Sequence, residues 1–188
     1  GTKDQTLITQ LSRHELGLRD DSVVLCLASR AIDTKGWFEA VRLVDRLVKE
    51  GRNIELLLIG EGPAADSICS LSPEHVFLVG QVSNLHDYLA ICDIGILPSY
   101  FPGESFPLIL LEMMCNSLPI IASDIGDIPL IIGEGSSAAG IIIPRTESGI
   151  NEKSLYDAAI TLLNHDIRLG FAKASRARYQ TYYSIEHM

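Results

Sequence analysis

Glu104 and Glu112 bracket the segment Ser105-Phe106-Pro107-Leu108-Ile109-Leu110-Leu111, which reads as a loop running into a helix. Pro107 suits the first turn of a helix, where its missing N–H costs nothing, so Glu104 falls in the loop and Glu112 inside the helix. N–H groups left free near Ser105 and Phe106, with the positive end of the helix, form a site for an anion. Glu112 lies five residues beyond Pro107, about 7–8 Å along the axis at 1.5 Å per residue. A phosphate at the helix start and a ribose diol at Glu112 would be separated by a nucleotide-sized distance. Leu108, Ile109, Leu110, Leu111, Met113 and Met114 surround Glu112. They predict a largely buried helix, in which a carboxylate needs a ligand or partner to offset its desolvation. A solvated helix residue is the simpler alternative.

Two cations stand where they could complete such a site. In Ser29-Arg30-Ala31-Ile32-Asp33-Thr34-Lys35-Gly36, Arg30 closes an apolar run and Lys35 opens an amphipathic one. One loop can therefore aim both at a diphosphate, arginine as a fork of donors and lysine as a mobile point charge. Taken alone the pair reads more readily as solvated surface charge than as a site. Gly60-Glu61-Gly62-Pro63 is a further turn whose glycines admit a ligand close to the backbone, although an ordinary tight turn has the same pattern.

The elements that must hold these residues alternate in type. Val23–Ala28, Ile54–Ile59, Val76–Val79, Ile94–Pro98, Pro119–Ser123 and Ile141–Pro144 are short apolar runs, expected as strands buried on both faces. Lys35–Glu50 carries apolar residues at helical spacing and stops at Gly51. Pro63–Leu71, Leu85–Cys92 and Pro107–Ser117 are the other crossover helices, with Asn84 a candidate cap. Thr6–Leu16 is expected as a leading helix, and Asn151–Asn164 and Asp166–Tyr183 as two closing ones. The pattern predicts an α/β fold, a Rossmann-like doubly wound parallel sheet of about six strands with helices on both faces. Ligands of such sheets gather beyond the carboxyl ends of the strands, and each motif follows a strand.

The 188 residues suit one domain, with a 47% hydrophobic content adequate for a buried sheet. A net charge of -9 argues against a nucleic-acid or anionic-membrane surface, though not against a small basic pocket. Cys26, Cys69, Cys92 and Cys115 are widely spaced among mostly apolar neighbours and read as buried, reduced thiols of a cytoplasmic protein. The five histidines show no metal-ligand spacing. Neither a signal peptide nor a membrane-spanning run is evident, and a lipid acceptor remains compatible with the chain.

Taken in order, these features resemble the C-terminal domain of glycosyltransferase family 4, one half of the GT-B fold. The resemblance runs from about Val23 to Tyr183 through Arg-x4-Lys-Gly, Gly-x-Gly-Pro, Val76-Phe77-Leu78-Val79-Gly80, Glu-x7-Glu and Leu118-Pro119-Ile120-Ile121-Ala122-Ser123. It implies a retaining, metal-independent transferase without a cofactor, whose donor is a nucleoside diphosphate sugar. By the same resemblance Arg30 and Lys35 hold the donor diphosphate and stabilise the leaving group, Glu104 meets the donor sugar, and Glu112 holds the ribose hydroxyls. Backbone around Ser105, Phe106, Pro107 and Leu108 would hold phosphate and sugar, and Gly60 and Val82 would lie near phosphate or base. The chain departs from the family in three places. Ser29 replaces the usual glycine before the arginine, the usual Glu-Gly-Phe-Gly reads Glu104-Ser105-Phe106-Pro107 with one N–H donor missing at Pro107, and Leu130 follows Pro129 where the family often has glutamate.

The resemblance further implies one nucleotide-sugar-binding domain over residues 1–188, with an N-terminal acceptor-binding half absent and the reaction in the cleft between halves. The parent would be cytoplasmic, or peripheral to the inner face of the membrane through that other half. A dinucleotide-dependent oxidoreductase is disfavoured, because no G-x-G-x-x-G follows the first strand at Ala28-Ser29-Arg30. A non-catalytic nucleotide-sugar-binding module, or another GT-B enzyme such as an epimerase or phosphorylase, shares the fold. The base (UDP, GDP or ADP), the sugar and the acceptor are left open.

Overall fold

The computed structural model describes residues 11–71, 73–147 and 149–184. Six strands, β1 (Val23–Ala28), β2 (Ile54–Ile59), β3 (Val76–Leu78), β4 (Ile94–Leu97), β5 (Ile120–Ser123) and β6 (Gly140–Ile143), form a parallel sheet in the order 3-2-1-4-5-6. β1, β2, β4 and β5 are almost wholly buried, which is why they read as continuous apolar runs rather than alternating ones. The strand order reverses between β1 and β4, opening a crevice at their carboxyl ends.

Helices cover both faces. α1 (Trp37–Lys49), α2 (Pro63–Leu71) and α6 (Glu152–Leu163) share one apolar core with Leu25, Leu27, Ile94 and Ile96. α3 (Leu85–Ala90), α4 (Leu108–Cys115), α5 (Ile128–Ile132) and α7 (His165–Tyr182) pack on the other with Val24, Cys26, Ile120 and Ala122. α4 lies so close to the sheet that a Cβ at Gly95 would sit 2.5 Å from the Met113 sulfur.

Several local expectations are corrected. The helix foreseen over Lys35–Glu50 is two pieces, a 3-10 turn at Asp33–Lys35 and then α1, divided by Gly36 in a left-handed conformation (φ 79°). Lys35 thus sits in the loop. Asn84 does not cap α3, because its side-chain amide donates to Asp87 instead. Of the leading helix, residues 6–10 lie outside the described residues, and the described part holds only a 3-10 turn at His14–Leu16. Cys26 and Cys92 are buried as expected, but Cys69 is exposed and Cys115 half-buried. Not foreseen were α5, a 3-10 turn at Gly135–Ser137, and a hairpin of β7 (Arg145–Thr146) with β8 (Gly149–Ile150).

At the amino ends of the strands, away from the crevice, two carboxylates are consumed structurally. Glu55 is buried and accepts from the Arg19 N–H and Nε and from Ser22 Oγ. Asp93 Oδ2 accepts from Arg13 and from the Val24 N–H.

Candidate functional site

The crevice contains a cavity of about 340 Å3 built by the ends of β1 and β2, the segment after β3 and one flank of α4. Ala28, Ser29 and Arg30 come from the end of β1, and Ile59, Gly60 and Glu61 from the end of β2. Gln81, Val82 and Leu85 come from the segment joining β3 to α3, and Ile109 and Glu112 from α4. Four sequence-predicted residues, Arg30, Gly60, Val82 and Glu112, therefore share one wall-to-wall space.

Lys35 and Glu104 do not line that cavity. They form a buried ion pair, Nζ to Oε2 at 2.6 Å, with side chains 11% and 7% exposed. The Phe101 ring connects this pair to the cavity: the Lys35 ammonium lies 4.9 Å from its centroid and the Arg30 guanidinium 5.7 Å. One aromatic ring thus meets both cations. Neither Phe101 nor the Lys35–Glu104 pair was singled out from the sequence. The pair joins residues 69 positions apart, and no local spacing signals it.

Backbone bonds fix the two loops to each other. The Thr34 carbonyl accepts from the Tyr100 N–H at 2.8 Å and from Ser99 Oγ at 3.4 Å. Gly36 packs against Pro98 so tightly that a Cβ would overlap the Pro98 carbonyl oxygen. On the far side, the Asp127 N–H donates to the Ser105 carbonyl at 2.9 Å. The segment after β5, including the short α5, thereby holds the entry to α4.

That entry corrects two expectations. Pro107 is not in the first turn but precedes it, with extended backbone (φ −74°, ψ 108°), and α4 begins at Leu108. Ser105, Phe106 and Leu108 are exposed, whereas Pro107 is buried. Among the described residues no protein acceptor meets the N–H groups of Ser105, Phe106, Leu108 or Ile109. Pro107 interrupts that row of donors without abolishing it. Glu112, expected in a buried setting, is exposed. α4 buries Leu110, Met113 and Met114, and its Ile109–Glu112 flank opens on the cavity. The desolvation argument for Glu112 therefore fails, while its position in the cavity stands.

Together these elements offer a guanidinium with no carboxylate partner among the described residues, a second cation held against a carboxylate, a row of open N–H donors at a helix start, and an exposed carboxylate in the cavity. The first three suit an anion and the last suits hydroxyl donors.

The sequence matches the model of the family described as "Glycosyl transferases group 1" over residues 9–180. The chain belongs to that family. It is 30% identical, over 93% of its length and 44% of the relative's, to N-acetyl-alpha-D-glucosaminyl L-malate synthase of Bacillus anthracis. It is 28% identical, over 82% of its length and 36% of the relative's, to the putative teichuronic acid biosynthesis glycosyltransferase TuaC of Bacillus subtilis (strain 168). The chain thus spans under half the length of these relatives. Its fold is that of part of sucrose-phosphate synthase from Thermosynechococcus elongatus (TM-score 0.76, 24% identity, 93% of this chain and 44% of that one). It also matches Anabaena Alr3699/HepE, solved with UDP and glucose (TM-score 0.77, 18% identity, 93% and 47%). The six-strand order and the half-length match make this sheet one half of a GT-B structure.

Proposed function

We propose that this chain is the donor-binding half of a retaining glycosyltransferase, moving a hexosyl group from a nucleoside diphosphate sugar to an acceptor held by a separate half of its parent. The observation carrying the reading is the meeting of Arg30, Gly60, Val82 and Glu112 in one cavity, with Lys35 fixed by Glu104 beside it.

In this reading Glu112 accepts from the ribose hydroxyls, and the base lies toward Gln81 and Val82. The diphosphate lies between Arg30 and the open N–H groups that precede and begin α4. When the bond from the anomeric carbon to the phosphate oxygen breaks, its electron pair leaves with the diphosphate. Arg30, Lys35 and the N–H donors stabilise that growing charge from positions set before reaction. Glu104 Oε2 holds Lys35, leaving Oε1 for a hydroxyl of the donor sugar. The two cations do the work for which other transferases recruit a divalent ion. The UDP complex of HepE makes uracil the first base to test, with guanine and adenine as alternatives. The reading also assigns the parent to the cytoplasm, where a lipid-linked acceptor is accessible from the membrane face. Among the described residues no helix is long and apolar enough to cross a membrane.

The test is release of nucleoside diphosphate by the full-length parent from UDP-glucose, UDP-N-acetylglucosamine, GDP-mannose and ADP-glucose, with a chelator present. At least one donor should turn over, and Arg30→Ala should lower kcat by about a hundredfold or more. Donor binding without turnover, with acceptor half and candidate acceptors present, would instead make this a non-catalytic module. Turnover abolished by the chelator would contradict metal independence.

A further inference from the structure

Trp37 is the chain's one tryptophan, and it is fully buried at the first position of α1. A buried indole N–H needs an acceptor, since leaving it unpaired forfeits its bond to water. It finds one in Ser29 Oγ at 2.9 Å, and that hydroxyl in turn donates to the Arg30 carbonyl at 3.1 Å. Ser29 and Trp37 are the two residues that flank the loop bearing Arg30 and Lys35. Their bond is therefore a chord across the loop's base.

The chord is built into the cavity floor. Ser29 continues the β1–β2 pairing by donating its N–H to the Ile59 carbonyl at 3.1 Å. Gly60, at φ 136°, lies so close that a Cβ would overlap the Ser29 carbonyl oxygen and touch the Trp37 ring at 3.4 Å. Ser29, Arg30 and Gly60 all line the cavity.

We propose that Ser29 is a positioning residue for the diphosphate site: its hydroxyl satisfies the buried Trp37 N–H, which would otherwise draw the Arg30–Lys35 loop out of its binding geometry. The proposal rests on the reading that Arg30 and Lys35 grip the diphosphate. A hydrogen bond has a property that mere packing lacks. Deleting the acceptor alone orphans the donor, and deleting both restores balance. Ser29→Ala leaves the indole N–H seeking another acceptor, which pulls on the loop. Ser29→Ala with Trp37→Phe removes that pull.

The experiment is calorimetric titration of the chain with UDP, GDP and ADP, well below the melting temperature. The variants are Ser29→Ala, Ser29→Thr, Trp37→Phe, the Ser29→Ala/Trp37→Phe pair and Arg30→Ala. For whichever nucleotide binds best, Ser29→Ala should raise Kd about tenfold, matching one orphaned buried donor. Ser29→Thr, which keeps the hydroxyl, and Trp37→Phe, which removes the donor, should both stay near the parent value. The pair should recover most of the loss even if its melting temperature is lower than that of Ser29→Ala, a divergence that a merely structural role would not produce. The proposal is overturned if Arg30→Ala weakens binding while Ser29→Ala does not, or if the pair binds no better than Ser29→Ala. Should the pair fail to fold, Ser29→Thr decides: binding as weak as Ser29→Ala overturns the proposal. If Arg30→Ala itself changes nothing, the diphosphate reading fails first and the proposal with it.

Discussion

A lysine and a glutamate 2.6 Å apart and nearly out of water hold each other at a desolvation cost that their mutual attraction must offset. Removing one partner is therefore worse than removing both. Glu104→Ala should destabilise the chain by about 3–5 kcal/mol in urea unfolding. Lys35→Met with Glu104→Leu should recover much of that stability yet fail to restore nucleotide binding. A double variant that binds as the parent does would deny the pair a role in the site. The sequence showed both residues but not their pairing, because the contact depends on two loops meeting across the switch point. It also misled on Glu112: surrounding apolar residues implied burial, whereas α4 presents that flank to an open cavity. The carboxylate that is buried without a functional part to play here, Glu55, stands in a strand where apolar neighbours hid it.

The site depends on loops whose placement is set by the elements they join. Gly36 separates the Lys35 turn from α1 in a left-handed conformation and abuts the Pro98 carbonyl. Gly36→Ala combines an unfavourable backbone region with a collision against backbone, so it should cost at least about 2 kcal/mol. At this chain length the melting temperature should fall by about 4–8 °C or more. Unchanged melting would contradict the close approach. The main strands were legible because burial on both faces leaves an uninterrupted apolar run, as in Ile54–Ile59. α5 was not legible: five residues, Ile128–Ile132, are too few for a helical period, and Pro129 disguises a helix start as a turn. The two-residue strands of the hairpin carry no pattern either.

At the scale of the molecule, a chain of net charge -9 concentrates two cations and a set of open N–H donors at one end of its sheet, where an anionic ligand is expected. The opposite end is closed by Glu55 and Asp93. Burial of the sheet has a direct reading in thiol chemistry. A hydrogen bond with Cys26, together with burial, pushes the Cys92 thiol well above its usual range, so little thiolate forms near pH 8. Alkylation followed by mass spectrometry should modify exposed Cys69 first and spare Cys26 and Cys92 until the chain unfolds. Simultaneous labelling of all four would contradict the packed sheet. The central claim is that Arg30 and Glu112 are two ends of one nucleotide site. Its most direct test is calorimetric titration with UDP, GDP and ADP of the parent chain, Arg30→Ala and Glu112→Ala. At least one nucleotide should bind, and each substitution should weaken it about tenfold or more, the scale of a lost hydrogen bond to a charged group. If no nucleotide binds, or both variants bind as well as the parent, the account is wrong.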